Sequence, residues 1–196
     1  MCRSTALGTL TAALVMYLLV ICLVIGASAG PWASPDGINY YLTYSELAVG
    51  SVIVKYSGRV DTFGTIALGM YIFATLCFII CFIIGVIRVC VMMKNNDDTR
   101  APTMYLSAVP STIISVFGLI FVVLAFYPAV VVAYNFDSAW GTGLMSGIVV
   151  IPFAIIAIAC EASSSCCYNS SHCCFNKACG KHTTDDIESE AFLSSS

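Results

Sequence analysis

The sequence predicts an all-α membrane protein: a four-helix transmembrane bundle with a small, hairpin-like first extracellular loop. Of its 196 residues, 59% are hydrophobic and only 10% are charged, an apolar excess that ordinary water-soluble domains do not have. The apolar residues are gathered in four blocks, each at least as long as the roughly 18 residues expected of a spanning helix. Charged residues lie between these blocks, so four spans joined by polar loops are the simplest interpretation.

We place the four spans at about 7–28, 63–88, 105–134 and 140–160, within a membrane domain of residues 1–159. The first block ends at Ala27-Ser28-Ala29, which resembles a signal-peptide cleavage site. Its apolar run is longer than the roughly 7–15 residues of a signal sequence, so we favour a retained span and keep cleavage as the alternative. We expect no ionisable side chain inside the bundle, because charges begin only at Arg88 and Glu161.

The outer loop, residues 30–62, contains two stretches rich in aromatic and β-branched residues, 38–44 and 51–56. Such stretches favour strands, and a turn at Gly50-Ser51 would join them as a hairpin. The alternative is that the aromatic side chains only anchor the loop at the lipid headgroups. Those side chains are Trp32, Tyr40, Tyr41, Tyr44 and Tyr56.

The distribution of basic residues predicts the orientation, because basic residues in short loops resist translocation across the membrane. Arg3, the loop 88–100 and the tail hold most of them, whereas the outer loop holds Lys55 and Arg59. We therefore expect both termini in the cytosol and the plasma membrane as the location, with an endosomal or other endomembrane as the alternative. The expected partners are the lipid bilayer and other membrane proteins, and no nucleic acid.

Two spans carry small residues at four-residue spacing, which lets helices in lipid approach closely. This set comprises Ser107, Ser111, Ser115 and Gly118 in the third span, and Ala139, Gly143 and Gly147 at the fourth. We favour helix packing within one chain, and a homo-oligomer contact is the alternative.

The tail, residues 160–196, is rich in cysteine, ends in acidic residues and is expected to be largely disordered. Cysteines just inside the last span lie at the depth where S-acylation occurs. The candidates are Cys166, Cys167, Cys173, Cys174 and Cys179. Zinc binding and disulfide formation remain open, although the cysteine spacing is unlike that of zinc sites and a cytosolic tail is kept reduced.

The end of the tail resembles an acidic dileucine sorting signal, with Glu188 as the acidic residue and Phe192-Leu193 as the apolar pair. The alternative is a solvated acidic end without a sorting role.

We expect no enzymatic activity, no cofactor and no metal site. The sequence contains no nucleophile elbow, zinc-protease motif or phosphate-binding glycine loop. Its two histidines, His172 and His182, both lie in the tail, where a polar segment cannot hold catalytic geometry.

Two motifs resemble those of a known family. Arg59 followed by Phe63-Gly-Thr-Ile-Ala-Leu, and Trp140-Gly-Thr-Gly-Leu-Met, are similar to the entries of the second and fourth spans in amastin surface proteins. The overall plan also resembles that of the claudin group, although the outer-loop cysteines of both groups are missing. The resemblance implies a surface membrane protein without a catalytic site.

These observations favour a structural, adhesive or membrane-organising protein of the cell surface. The alternative is an oligomeric pore for ions or small solutes, or an accessory subunit of a transporter. Because transporters of charged substrates place ionisable residues inside the membrane, the expected absence of such residues favours the structural role.

Overall fold

A computed structural model describes residues 2–34, 38–47, 52–94, 101–135 and 141–168. The elements in chain order are helix α1 (Cys2–Ala29), strands β1 (Ile38–Tyr40), β2 (Tyr44–Leu47) and β3 (Ile53–Lys55), and helices α2 (Arg59–Lys94), α3 (Ala101–Tyr134) and α4 (Thr142–Tyr168). Each helix contains a segment long and apolar enough to cross a membrane: Ala6–Ala29, Arg59–Met93, Ala108–Tyr134 and Thr142–Ser164. The prediction of four spanning-length apolar helices is thus confirmed.

The four helices form a ring in which each packs on the next. The contacts of α1 with α4 and of α2 with α3 are the most extensive, and those of α1 with α2 and of α3 with α4 close the ring. The helices α2 and α4 therefore face each other diagonally. We call the end of the bundle that carries the strands the outer end, and the opposite end the inner end.

Every helix buries one stripe of residues at alternating spacings of three and four. In α2 the stripe runs along Ala67, Tyr71, Ala74, Phe78, Cys81, Arg88 and Met92. This spacing is that of a left-handed bundle with side chains of one helix set between those of its neighbours. Many of the buried residues are alanine, serine or glycine, and large apolar side chains such as Phe73, Phe117 and Leu124 are exposed on the outside. An exposed apolar surface of this kind suits lipid rather than water.

The strands form one antiparallel sheet in the order β1-β2-β3, rather than the expected two-stranded hairpin. Residues 38–44 do not make one strand, because the chain reverses between Tyr40 and Tyr44, where the Tyr41 amide donates to the Tyr44 carbonyl at 2.8 Å. Leu42, in the middle of this reversal, is 1% exposed. Burial of Leu42 against the helices therefore divides the predicted first strand into β1 and β2.

Candidate functional site

The segment from Gly30 to Ala33 attaches the outer loop to the helices, and Trp32 is its centre. The Trp32 side chain is fully buried, and its indole N–H donates to the Ala27 carbonyl at 2.7 Å. Its ring lies 6.2 Å, centroid to centroid, from the rings of Tyr71 and Phe126. Trp32 is therefore packed among the helices, so for this one residue the alternative of a simple headgroup anchor is wrong.

Glycines at the start of α4 receive this segment. The amides of Gly141 and Gly143 donate to the carbonyls of Trp32, at 3.0 Å, and Pro31, at 2.8 Å. These bonds satisfy amides that a helix N-terminus otherwise leaves unpaired. A Cβ on Gly143 would lie 2.9 Å from the Trp32 indole, which is closer than real Cβ contacts. Only glycine fits between the helix and the loop at this position.

A second glycine contact lies on α2. Gly64 packs against the backbone of Leu42, and a Cβ on Gly64 would fall onto the Leu42 carbonyl oxygen. The sheet is thus attached to α4 through Pro31 and Trp32, and to α2 through Leu42. We call these contacts together the outer lock: residues 30–33 and Leu42 with Gly64, Gly141, Gly143 and Gly147.

The sheet above the outer lock is rich in tyrosine and has an apolar strand. The rings of Tyr41 and Tyr44 stack at 4.6 Å. Burial raises the pKa of Tyr56, and the neighbouring Tyr40 and Tyr44 raise it further, so the Tyr56 hydroxyl stays protonated. In contrast, the residues in and just before β3 are largely exposed, with Val52, Ile53 and Val54 each more than half accessible.

The inner half of the bundle contains a buried ion pair. Nη1 of Arg88 in α2 lies 3.1 Å from Oε1 of Glu161 in α4, and the hydroxyl of Tyr17 in α1 donates to Oε2 of the same carboxylate. All three side chains are at most 4% exposed. We call Tyr17, Arg88 and Glu161 the inner polar cluster. It connects three helices and crosses the diagonal of the bundle.

The expectation that the bundle holds no ionisable side chain is wrong for Arg88 and Glu161. Hydropathy alone ends each apolar block at its first charge, but α2 continues to Lys94 and α4 to Tyr168. Both charges can be buried because each neutralises the other, and Tyr17 satisfies a further lone pair of the carboxylate. Ionisable residues inside a membrane bundle typically face its interior and pair in this way.

A signal for these residues was present in the sequence. The spacing from Gly143 to Gly147, continued in alternating steps of three and four, reaches Val150, Ala154, Ala157 and then Glu161 and Ser164, all of them buried. Arg88 follows Cys81 by one heptad on the buried stripe of α2. Extending the small-residue register beyond the apolar block would therefore have placed both charges in the core.

Further side-chain bonds join the helices near this cluster. The Ser164 hydroxyl donates to the Ala6 carbonyl at 3.1 Å, which links α4 to α1, and the Cys81 thiol lies 3.3 Å from the Ser111 carbonyl, which links α2 to α3. Among the described residues, the buried hydroxyls of Ser111 and Tyr71 have no hydrogen-bond partner. All four helices are thus connected by polar side chains in the inner half.

The structure places most of the predicted packing residues on the buried stripes. Ser111 and Ser115 are fully buried, and a Cβ on Gly118 would lie 3.1 Å from the Phe78 ring and 3.2 Å from the Cys77 side chain. Gly143 and Gly147 pack against Trp32. Ser107 lies in α3, but its side chain is outside the described residues, as is Ala139 altogether.

The tail predictions fall mostly outside the described residues. This holds for Cys173, Cys174, Cys179, Glu188, Phe192 and Leu193. Cys166 and Cys167 lie in the last turn of α4, but their side chains are not among those described. Within the described part of the chain, no group of three or more His, Cys, Asp or Glu side chains is arranged to hold a metal ion.

Comparison with protein-family models, with curated proteins and with solved structures finds no significant match to this chain.

Proposed function

We propose that this chain is a non-enzymatic integral membrane protein of the cell surface, with a structural, adhesive or membrane-organising role. The observation that carries the proposal is the outer lock. Glycines on two helices receive the backbone of the outer loop, so the sheet is fixed to the bundle rather than suspended from it. A surface held in one orientation is pre-organised to meet a partner, because little conformational entropy is lost on binding.

Two hydroxyls of α3 also favour a structural role. Thr112 donates to the Ala108 carbonyl at 3.0 Å, and the Ser115 hydroxyl lies 2.9 Å from the Ser111 carbonyl. Both acceptors belong to the same helix as their donors. Hydroxyls bonded to their own helix do not offer a solute a path of polar groups.

Reconstitution of the full chain tests this role against transport. We expect proteoliposomes to show no more ion or small-solute flux than protein-free liposomes, and to associate with one another or with partner membranes through the sheet. The Ile53→Glu variant should lose that association, whereas Val15→Leu, on the exposed face of α1, should keep it. Reproducible conductance that disappears when Ser111 or Gly143 is made bulky would contradict the proposal.

The inner polar cluster favours transport as the second candidate function. Buried ionisable groups in membrane bundles often carry ions or protons. Because the bundle contains Arg88 and Glu161, a lack of ionisable groups is not an argument against a pore or an accessory transporter subunit. The two candidates differ in a measurable way. If Arg88 and Glu161 serve transport, then the double variant Arg88→Met, Glu161→Leu abolishes flux in a protein that still folds. If they serve assembly, the parent protein and the double variant should both show no flux above that of protein-free liposomes.

The tail proposal is S-acylation at Cys166, Cys167, Cys173, Cys174 and Cys179. Cys166 and Cys167 lie in the last turn of α4, a few residues beyond the apolar block of that helix, where acyl chains could enter the leaflet. This tail would lie on the cytosolic face of the plasma membrane, and Glu188 with Phe192-Leu193 would act there as a sorting signal.

Acyl labelling tests the tail proposal. Hydroxylamine-sensitive labelling should disappear when the five tail cysteines are changed to serine. It should remain in the control Cys90→Ser, which alters an exposed cysteine near the inner end of α2. Labelling that survives the tail variant would place the modification elsewhere, and Cys90 would be the first site to examine.

A further inference from the structure

A groove between α2 and α3 at the outer end has a chemistry that the proposed function does not use. It encloses about 420 Å³ and is lined by Arg59, Val130, Val131, Tyr134 and Asn135. Its lining therefore combines apolar side chains with polar and cationic ones. None of these residues belongs to the outer lock or to the inner polar cluster.

The groove lies at headgroup depth if the helices span a membrane. Arg59 is the first residue of the apolar segment of α2, and Tyr134 is the last residue of that of α3. Because α2 begins and α3 ends at this groove, it lies at the outer end of both candidate spans. Val130 and Val131 lie one turn deeper along α3, where acyl chains begin.

The polar groups of the groove are suited to a phosphate. Arg59 is exposed, and no carboxylate among the described residues lies within ion-pairing distance of it. Its guanidinium carbon sits 5.1 Å from the centre of the Phe63 ring, which holds it near the start of α2. Asp61, in the same turn, does not line the groove. The Tyr134 residue is 85% exposed, so its hydroxyl is available as a donor.

We propose that this groove binds a phospholipid with an anionic headgroup, with the phosphodiester on Arg59 and Tyr134 and an acyl chain along Val130 and Val131. A guanidinium forms strong, charge-assisted hydrogen bonds to phosphate oxygens, and the amides at the start of α2 favour negative charge as well. The apolar wall selects a lipid over a free phosphate ester. The inference depends on membrane embedding of the helices but not on a structural or adhesive role.

Native mass spectrometry of the full chain in detergent tests this site, with phosphatidylglycerol as the probe. We expect Arg59→Gln to weaken the binding of the most tightly held phosphatidylglycerol by about tenfold, the loss of one charge-assisted contact. Lys55→Gln is the matched control: it removes a basic residue at the end of β3 that does not line the groove, and it should change the affinity less than twofold. Neither side chain is buried, so both variants should keep the unfolding temperature of the parent.

Three results would overturn the proposal. Equal binding by the parent and Arg59→Gln would remove Arg59 from the site. An equal loss in Lys55→Gln would mean that general charge rather than the groove attracts the lipid. Competition by glycerol 3-phosphate at the same concentration as phosphatidylglycerol would mean that the apolar wall contributes nothing. Each result can occur whether or not the protein clusters membranes, so the failure of this inference is separate from that of the proposed function.

Discussion

The two ends of the bundle are held together by opposite means. At the outer lock, glycines let backbone approach backbone, and the large apolar ring of Trp32 fills the space between helices. In the inner polar cluster, a charge pair connects α2 and α4, which lie on the diagonal of the ring, and a tyrosine hydroxyl adds a bond from α1. Burial of apolar area contributes little between helices in lipid. Close packing takes its place at the outer end of this bundle, and electrostatics at the inner end.

The largest effect is expected at the inner polar cluster. Glu161→Gln keeps the shape of the side chain but leaves the Arg88 charge buried without its counter-ion, which costs about 3–5 kcal/mol. The double variant Arg88→Met, Glu161→Leu should recover most of this loss, because no buried charge remains. Unfolding in detergent by increasing denaturant measures both, with the exposed Ser163→Ala as the control. A double variant as unstable as Glu161→Gln would mean that the charges do more than neutralise each other.

The next effect is expected at the outer lock. Trp32→Ala removes a fully buried ring and the indole bond to Ala27. Because the reference environment is lipid rather than water, we expect a loss of about 2–3 kcal/mol, below that of a comparable change in a soluble core. Limited proteolysis should then cleave the outer loop faster while the helices remain protected. Unchanged protection of the loop would show that Trp32 does not hold the sheet.

A smaller effect separates two glycines of α2. Gly64→Ala places a methyl group against the Leu42 backbone, which cannot move without moving the sheet, so we expect a loss of about 1–3 kcal/mol. A Cβ on Gly69 meets nothing within 4 Å. Gly69→Ala should therefore stabilise the helix by up to about 1 kcal/mol. Equal unfolding temperatures for the two variants would contradict the close approach at Gly64.

The smallest effect distinguishes two buried tyrosines. Tyr17→Phe removes the hydroxyl that donates to Glu161 and should cost about 1 kcal/mol, as interhelical hydrogen bonds in membrane proteins do. The Tyr71 hydroxyl has no partner among the described residues, so Tyr71→Phe should leave the free energy of unfolding nearly unchanged. A larger loss for Tyr71→Phe would point to a partner for that hydroxyl.

Much of the fold could be predicted from the sequence, because long apolar blocks indicate spanning helices by length alone. The two glycines Gly143 and Gly147 also stand out by their spacing. The residues that contact these glycines could not be predicted. The glycines of α4 receive Trp32 from the outer loop, which is a contact between residues far apart in the chain. Local patterns do not contain such contacts.

The inner polar cluster was missed for a different reason. Hydropathy marks the end of a block at its first charge, whereas a helix ends where its backbone bonding ends, and α2 runs on past Arg88. The buried stripe at spacings of three and four carries the better signal, since it shows which side of the helix a charge occupies. The three-stranded sheet likewise depends on the burial of Leu42, which strand propensity does not report.

Fluorescence quenching of Trp32 tests the central claim, that the outer loop is locked into the bundle, most directly. The Trp140→Phe variant leaves Trp32 as its single tryptophan. In liposomes we expect its emission to resist both aqueous iodide and phosphatidylcholine brominated near the headgroup, because a ring with no exposed surface meets neither quencher. Strong quenching by the brominated lipid would place Trp32 at the membrane interface as a simple anchor, and would contradict the outer lock.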